Sequence, residues 1–521
     1  MAPNSNSYDD VPYGNLAFAQ THPDRLATMA RMFGLAPPPV ATSRVLELGC
    51  ASGGNLIPMA FNLPTADFVG VDLSRIQVER GRDTISAMEI RNASLTHASI
   101  LDVGPEWGEF DYIICHGVYS WVEPHVQDRI LRIAADNLSA SGVAYISYNT
   151  YPGWHMRDVV RHMMRYHAGR FDGPAEQIEQ ARALLNFVAS TSRDTEPYGQ
   201  LLRREIERLS QSTDWYLYHE HLEALNLPLY FHQFIERAEQ AGLQYLAEAD
   251  VSDMLSSVFP ASVAATLERI SPDILHLEQY MDFVRNRQFR QTLLCHKDLR
   301  PKRALSPAFL HGLMLSCRAV TEPAPPDLTP MKPVVFTKGA QRAEVALPAS
   351  KAALALLMEA WPRAIDVDEL CTMALERAAP FLSETPVNDA RGAMMSDLFT
   401  SVMHGLIQLH TQQPSCTNRP SDLPRANALA AHQAEAGHVV VNARHEMFQL
   451  EPLGRAVLKL ANGARRRCEI ADELLQSIES GVLTLEVSEG EAPTGAALRA
   501  ALDGELERSI ASLTRSALLV E

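Results

Sequence analysis

The sequence predicts an α/β protein: a doubly wound, mostly parallel sheet, then a helical middle region, then two winged-helix-like modules. Three observations carry that reading. Residues about 40 to 150 alternate short apolar runs with amphipathic stretches, the pattern of consecutive βαβ units. From about 155 to 320 the apolar residues recur at intervals of three and four, as on helices. Around a proline-containing stretch further on, two segments repeat one order of elements.

Taken in order, the strands are RVLELG (44–49), ADFVGVD (66–72), LTHASI (95–100), FDYIICHG (110–117) and GVAYISYN (142–149). Helical patterns lie between them, as in SRIQVERGRDTISAMEI (74–90) and EPHVQDRILRIAADNL (123–138). HMRDVVRHMMRYHAGRF, AEQIEQARALLNFVAS and the apolar spacing around Leu277 to Phe283 make the middle region helical. TEPAPPDLTPMKP (321–333) and TQQPSCTNRPSDLPR (411–425) are candidate linkers. The segments flanking the second linker each read as helix, turn, helix, longer helix and a short apolar strand. Domains are therefore expected at 1–155, 156–325, 330–411 and 426–521.

A chain of 521 residues exceeds one hydrophobic core. Its formal charge of −17, from 46 basic against 63 acidic residues, opposes a broad nucleic-acid surface. The basic clusters at Arg300–Arg303 and Arg465–Arg467 read as solvated surface, and the winged-helix-like modules as protein-contact or packing units. Residues beyond about 330 are thus expected to govern substrate engagement rather than chemistry. No apolar run reaches membrane-spanning length, and MAPNSNSYDDVPYGN lacks a secretory layout. Seven scattered cysteines without a CxxC pair favour neither disulfides nor zinc. A cytoplasmic protein with no metal and no stable membrane association is expected.

ELGCASGGN (Glu47 to Asn55) carries the chemistry. A dinucleotide fingerprint would read GxGxxG; this loop instead has Gly49, Gly53 and Gly54, with Glu47 ahead of them. A carboxylate is awkward beside pyrophosphate but suits a cationic ligand bearing an amino group. S-adenosylmethionine, a sulfonium with an amino-acid tail, fits that description. Asp72, with Leu73 after it, sits at the tip of the second strand, where a carboxylate accepts ribose hydroxyls; NAD enzymes use the same device. Asp102 follows the third strand, where an adenine amino group would be read, or else caps a helix. Gly53 and Gly54 could alternatively only close a turn, and Cys50 reads as a small packed residue.

The loop resembles motif I of class I methyltransferases, with Ala51 in place of the middle glycine. Together with SYDDVPYGNLAFAQTHPDRLATMARMFGL, HGVYSWVEP, SYNTYPGWHMRDVVRHMMRYH and WYLYHEHLEALNLPLYFHQFIERAEQAGLQYLAEAD (215–250), it resembles bacterial methyltransferases carrying a methyltransferase regulatory domain. That family includes rickettsial protein-lysine methyltransferases acting on outer-membrane proteins. The resemblance implies a Rossmann-like fold, a homodimer, S-adenosylmethionine as cofactor, and a protein substrate, possibly an outer-membrane or surface protein. It places the cofactor on Glu47, Gly49, Gly53 and Asn55, with Asp72 and Asp102 beyond. QTHPDRLA (20–27) would cover the crevice, making His22 and Arg25 candidates for the cofactor carboxylate; an ordinary helix start is the alternative.

Lysine methylation needs a neutral amine, and aromatic walls lower its pKa by desolvation. Tyr119, Trp121, Tyr148, Tyr151 and Trp154 lie at the carboxyl ends of the fourth and fifth strands, with Asn149 among them, where α/β sites form. The alternative is that they pack beneath the helical region. His116 either assists proton removal or hydrogen-bonds the backbone. HEHLE (219–223) does not match HExxH and reads as a polar inter-domain contact. The expected activity is methyl transfer to protein lysines; small-molecule methylation and non-catalytic cofactor sensing are the alternatives.

Overall fold

The computed structural model describes residue 11 and residues 14–382, 386–484 and 495–520. The start of the SYDDVPYGN stretch lies outside them. Five parallel strands occur where the apolar runs place them: β1 (Arg44–Leu48), β2 (Asp67–Asp72), β3 (Ala93–His97), β4 (Phe110–Cys115) and β5 (Leu138–Asn149). Two more join them, β6 (Leu243–Glu248) and β7 (Phe289–His296), giving the order β3-β2-β1-β4-β5-β7-β6 with β7 antiparallel to both its neighbours. The order reverses between β1 and β4, which opens a crevice at their carboxyl ends. Helices α1 (Pro23–Met32), α2 (Leu56–Asn62), α3 (Arg75–Ala87) and α4 (Pro124–Asn137) cover the sheet. Strands covered on both faces read as continuous apolar runs: Val45, Leu46 and Leu48 of β1 and Ile113 and Ile114 of β4 are buried.

The sheet is not complete at residue 155. The expected helical region 156–325 supplies its last two strands, because β7 carries polar residues that a pattern search passes over. Arg290 of β7 is wholly buried, donating to Glu248 Oε1 (2.7 Å), to both Asp282 oxygens (2.8 Å each) and to Glu278 Oε2 (3.1 Å). Outside β6, the region is largely helical up to Arg285. Helices α5 (Gly153–Ala168), α6 (Pro174–Thr191) and α7 (Pro197–Ser210) pack around their own core of Val160, Met164, Leu185 and Leu202. Helix α8 (Phe231–Ala241) lies against β6 and α4.

The stretch 321–333 lies inside a module instead of dividing two. Strand Met314–Cys317, ahead of it, pairs with Ile365–Asp366 and Ile407–His410 beyond it. The hairpin Val334–Lys338/Gln341–Val345 then leads into helices Pro348–Ala360, Val367–Ala378 and Val387–Met403. The same order recurs in the hairpin Val439–Val441/Met447–Gln449 and helices Pro452–Leu460, Arg467–Glu479 and Gly495–Arg515. The first module shares the sheet's hydrophobic core, while the second has its own. Among the described residues no helix is long and apolar enough to cross a membrane.

Candidate active site

After β1 the chain turns through Gly49 to Gly54 into α2. Gly49 (φ +75°) and Gly53 (φ +77°) adopt the left-handed conformation that glycine tolerates. A Cβ on Gly49 would collide with Val118, and one on Gly54 with Asn15. Ala51 is also left-handed (φ +48°), and its N–H donates to Asp72 Oδ2 (2.8 Å). Asp72 Oδ1 accepts from the Ser74 N–H (2.8 Å), so the tip of β2 ties the loop to the start of α3.

Beneath this loop Glu47 is buried, and its Oε1 accepts from Asn55 Nδ2 (2.8 Å). Glu47 Oε2 is buried with no partner among the described residues. Burial pushes this carboxyl up to about 8, against the Asn55 bond and with help from the charge of Asp72. Asn55 uses its full bonding capacity. Its Nδ2 also donates to Thr21 Oγ1 (2.9 Å), and its Oδ1 accepts from the Phe18 N–H (2.9 Å) and from His445 Nε2 (2.8 Å).

A cavity of about 560 Å³ opens over the loop. Of the residues picked out in the sequence, Glu47, Gly49, Asn55, Asp72, Leu73, His116, Trp121 and Asn149 line it. Asn149 Nδ2 donates to Asn226 Oδ1 (2.9 Å). His116 Nδ1 lies 2.8 Å from the Tyr145 hydroxyl, and burial lowers its pKa to about 3.

The others lie elsewhere. Gly53 closes the turn, its N–H donating to Cys50 O (2.8 Å). Asp102 accepts from the Ser99 N–H (3.0 Å) as part of a helix-capping pair, and Ser99 and Ile100 line the cavity in its place. Tyr148 points to the opposite face of the sheet, stacked on Phe234 (ring centroids 4.1 Å apart) with its hydroxyl 3.2 Å from Thr292 Oγ1. Tyr119 packs edge-on to the same Phe234. Tyr151 stacks on His155, and Trp154 is buried under the Arg157 guanidinium. His22 caps α1 by accepting from the Asp24 N–H (3.1 Å). With Arg25 it borders a separate cavity of about 470 Å³.

Sequence reasoning missed the residues that complete the cavity. Asn15 and Phe18 come from the N-terminal segment, Arg157 from α5, Phe289 from β7, and Tyr216, His219 and Glu220 from the HEHLE region. Glu220 and His219 lie on a π-helical turn, Tyr218–Leu222, a local distortion frequent at functional sites. The Glu220 carboxyl is raised above its ordinary value by burial, with Arg157, Arg208 and Arg161 opposing. The paired histidines and carboxylates of HEHLE were the available signal.

Three family models match the chain. They are a methyltransferase domain over residues 46–144, a predicted methyltransferase regulatory domain over 213–296, and the PKMT C-terminal winged helix domain over 422–518. The chain is 34% identical over 530 residues to the uncharacterized protein RP789 of Rickettsia prowazekii, covering 99% of this chain and 94% of that one. It belongs to the class I S-adenosylmethionine-dependent methyltransferases with a methyltransferase regulatory domain. The methyltransferase is also 44% identical over 244 residues to the uncharacterized protein RP028 of the same organism, which covers 47% of this chain and 98% of that one. The solved structure of PKMT2 from Rickettsia typhi in complex with AdoHcy superposes with a TM-score of 0.89 at 31% identity, covering 98% of this chain and all of that one. In this methyltransferase the regulatory-domain match spans β6, β7 and the Glu220 turn, so it includes part of the sheet and one wall of the cavity.

Proposed function

We propose that this methyltransferase transfers a methyl group to lysine side chains of a protein. The observation that carries the reading is Glu220, a largely buried carboxylate sharing one cavity with the glycine loop and with Trp121, Tyr216 and Phe289. The name PKMT, borne by the solved relative and by the winged-helix family model, agrees with it.

S-adenosylmethionine, when bound, supplies an electrophilic methyl on its sulfonium. The residues present fit it. Glu47 Oε2, buried and with no donor among the described residues, suits an ammonium. Asp72, at the tip of β2 on the cavity wall, suits ribose hydroxyls, since a carboxylate oxygen accepts more than one hydrogen bond. Leu73 and Ile100 offer apolar surface to a base.

On the acceptor side, Trp121, Tyr216 and Phe289 exclude water, which favours the neutral form of an entering amine. Glu220 accepts the proton that amine must lose; burial makes it a stronger base than an exposed carboxylate. Asn149 orients the nitrogen through its amide oxygen, its Nδ2 being held by Asn226. His116, with so low a pKa, is too weak a base for this step.

The Glu220→Gln substitution tests the assignment. Turnover should fall about 100-fold or more, the range of a lost general base, with cofactor affinity within about two-fold of wild type. Wild-type turnover in that variant would remove Glu220 from the chemistry.

A further inference from the structure

We propose that the C-terminal winged-helix module is a working part of the methyl-donor site, with His445 as a positioning residue for Asn55 and, through it, Glu47. The inference concerns cofactor binding and holds whatever the methyl acceptor is. It departs from the sequence-based expectation that residues beyond about 330 govern substrate engagement rather than chemistry.

The contact is specific. Asn55 Nδ2 is committed to Glu47 and Thr21, so its Oδ1 faces His445 Nε2 as an acceptor, across 390 residues of sequence. His445 must therefore donate from Nε2, a tautomer assigned by this bonding. Without that donor, less holds the amide in the orientation that presents Nδ2 to the Glu47 carboxylate. His445 sits at the tip of the hairpin between Val441 and Met447, is 1% exposed, and has φ +60°. Left-handed backbone at a non-glycine residue is unfavourable, and such strain persists where the surroundings enforce it. Here Asn442 enforces it, its Oδ1 accepting from the N–H groups of Arg444 and Glu446 (2.9 Å each).

The module also holds the other end of α2. Asn427 Nδ2 donates to Asn62 Oδ1 (3.0 Å) at the last residue of that helix. Asn427 Oδ1 meanwhile caps the module's first helix, accepting from the Leu429 and Ala430 N–H groups (3.1 and 3.2 Å). The short helix that follows the glycine loop is thus gripped at both ends by one module. Just before that module, Asp24 of α1 accepts from the Thr411 N–H (2.7 Å) and pairs with His410 (2.9 Å).

The test is calorimetric titration of full-length protein with S-adenosylmethionine, alongside steady-state kinetics. In His445→Ala the dissociation constant should rise about ten-fold, equivalent to about 1.4 kcal/mol. The KM for cofactor should rise with it, while kcat at saturation changes less than about two-fold. His445→Gln, which keeps an N–H donor at similar reach, should recover affinity to within about three-fold of wild type. Asn427→Ser keeps a helix cap but loses the donor to Asn62; it should weaken binding about three-fold, and it decides the matter if His445→Ala fails to fold. Wild-type affinity in the folded variants overturns the proposal, as does an equal loss in His445→Ala and His445→Gln.

Discussion

Glu47 and Asn55 meet at 2.8 Å beneath the glycine loop, which leaves the second Glu47 oxygen buried and unpartnered among the described residues. Burial pushes the carboxyl up to about 8, so in the free protein it is largely protonated at neutral pH. An ammonium partner favours the ionised form and lowers that pKa, so binding releases a proton. We therefore predict that cofactor affinity rises with pH through the neutral range and levels off above about 8. Titrations in buffers of different ionisation enthalpy should detect the proton, and Glu47→Gln should abolish the slope. A pH-independent wild-type affinity with no proton release would contradict the assignment. The same shift acts on folding: stability from the protonated carboxyl is whole below about 4.5 and is lost as pH rises through about 8. Bound cofactor should accordingly raise the melting temperature more at higher pH.

Tyr148 and Trp121 are expected to behave differently. Tyr148→Phe loses the hydroxyl contact with Thr292, away from the cavity, and should cost about 1 kcal/mol of stability with turnover within about two-fold. Trp121→Ala removes a cavity wall and should lower turnover about ten-fold or more. Denaturant unfolding and steady-state kinetics on both variants separate the two effects. A large turnover loss in Tyr148→Phe without destabilisation would return that hydroxyl to the acceptor site.

Arg290 holds β7 against its neighbours in charge as well as in backbone pairing. Replacing it with Met leaves Glu248, Glu278 and Asp282 buried together, with Arg287 still beside Glu248 and Asp282. Breaking a buried network in this way costs about 3 to 5 kcal/mol. The midpoint of denaturant unfolding should fall accordingly; an unchanged midpoint would mean that the network contributes nothing to the fold.

The glycine-loop side of the cavity was readable because it is local. One strand, its glycine loop and the next strand tip carry Glu47, Gly49, Asn55 and Asp72 within 26 positions of sequence. The opposite wall was legible only at His116, Trp121 and Asn149, for two physical reasons. At the end of β5 one residue decides the face: Asn149 lines the cavity, whereas Tyr148, one step earlier, points the other way. Glu220, Phe289 and His445 reach the site only through tertiary packing. No local spacing marks a hairpin tip that lands on a helix start 390 residues earlier. The strand β7 escaped for a related reason, since the buried Arg290 reads as surface until its three carboxylates are seen around it.

The most direct test of protein-lysine methylation follows the methyl group itself. Purified enzyme is incubated with isotope-labelled S-adenosylmethionine and a lysate of the source organism, and the products are separated by size and sequenced by mass spectrometry. The account predicts label in a protein band, on lysine Nε, and its loss with Glu220→Gln. Label confined to a small soluble product, or carried on a residue other than lysine, would contradict it.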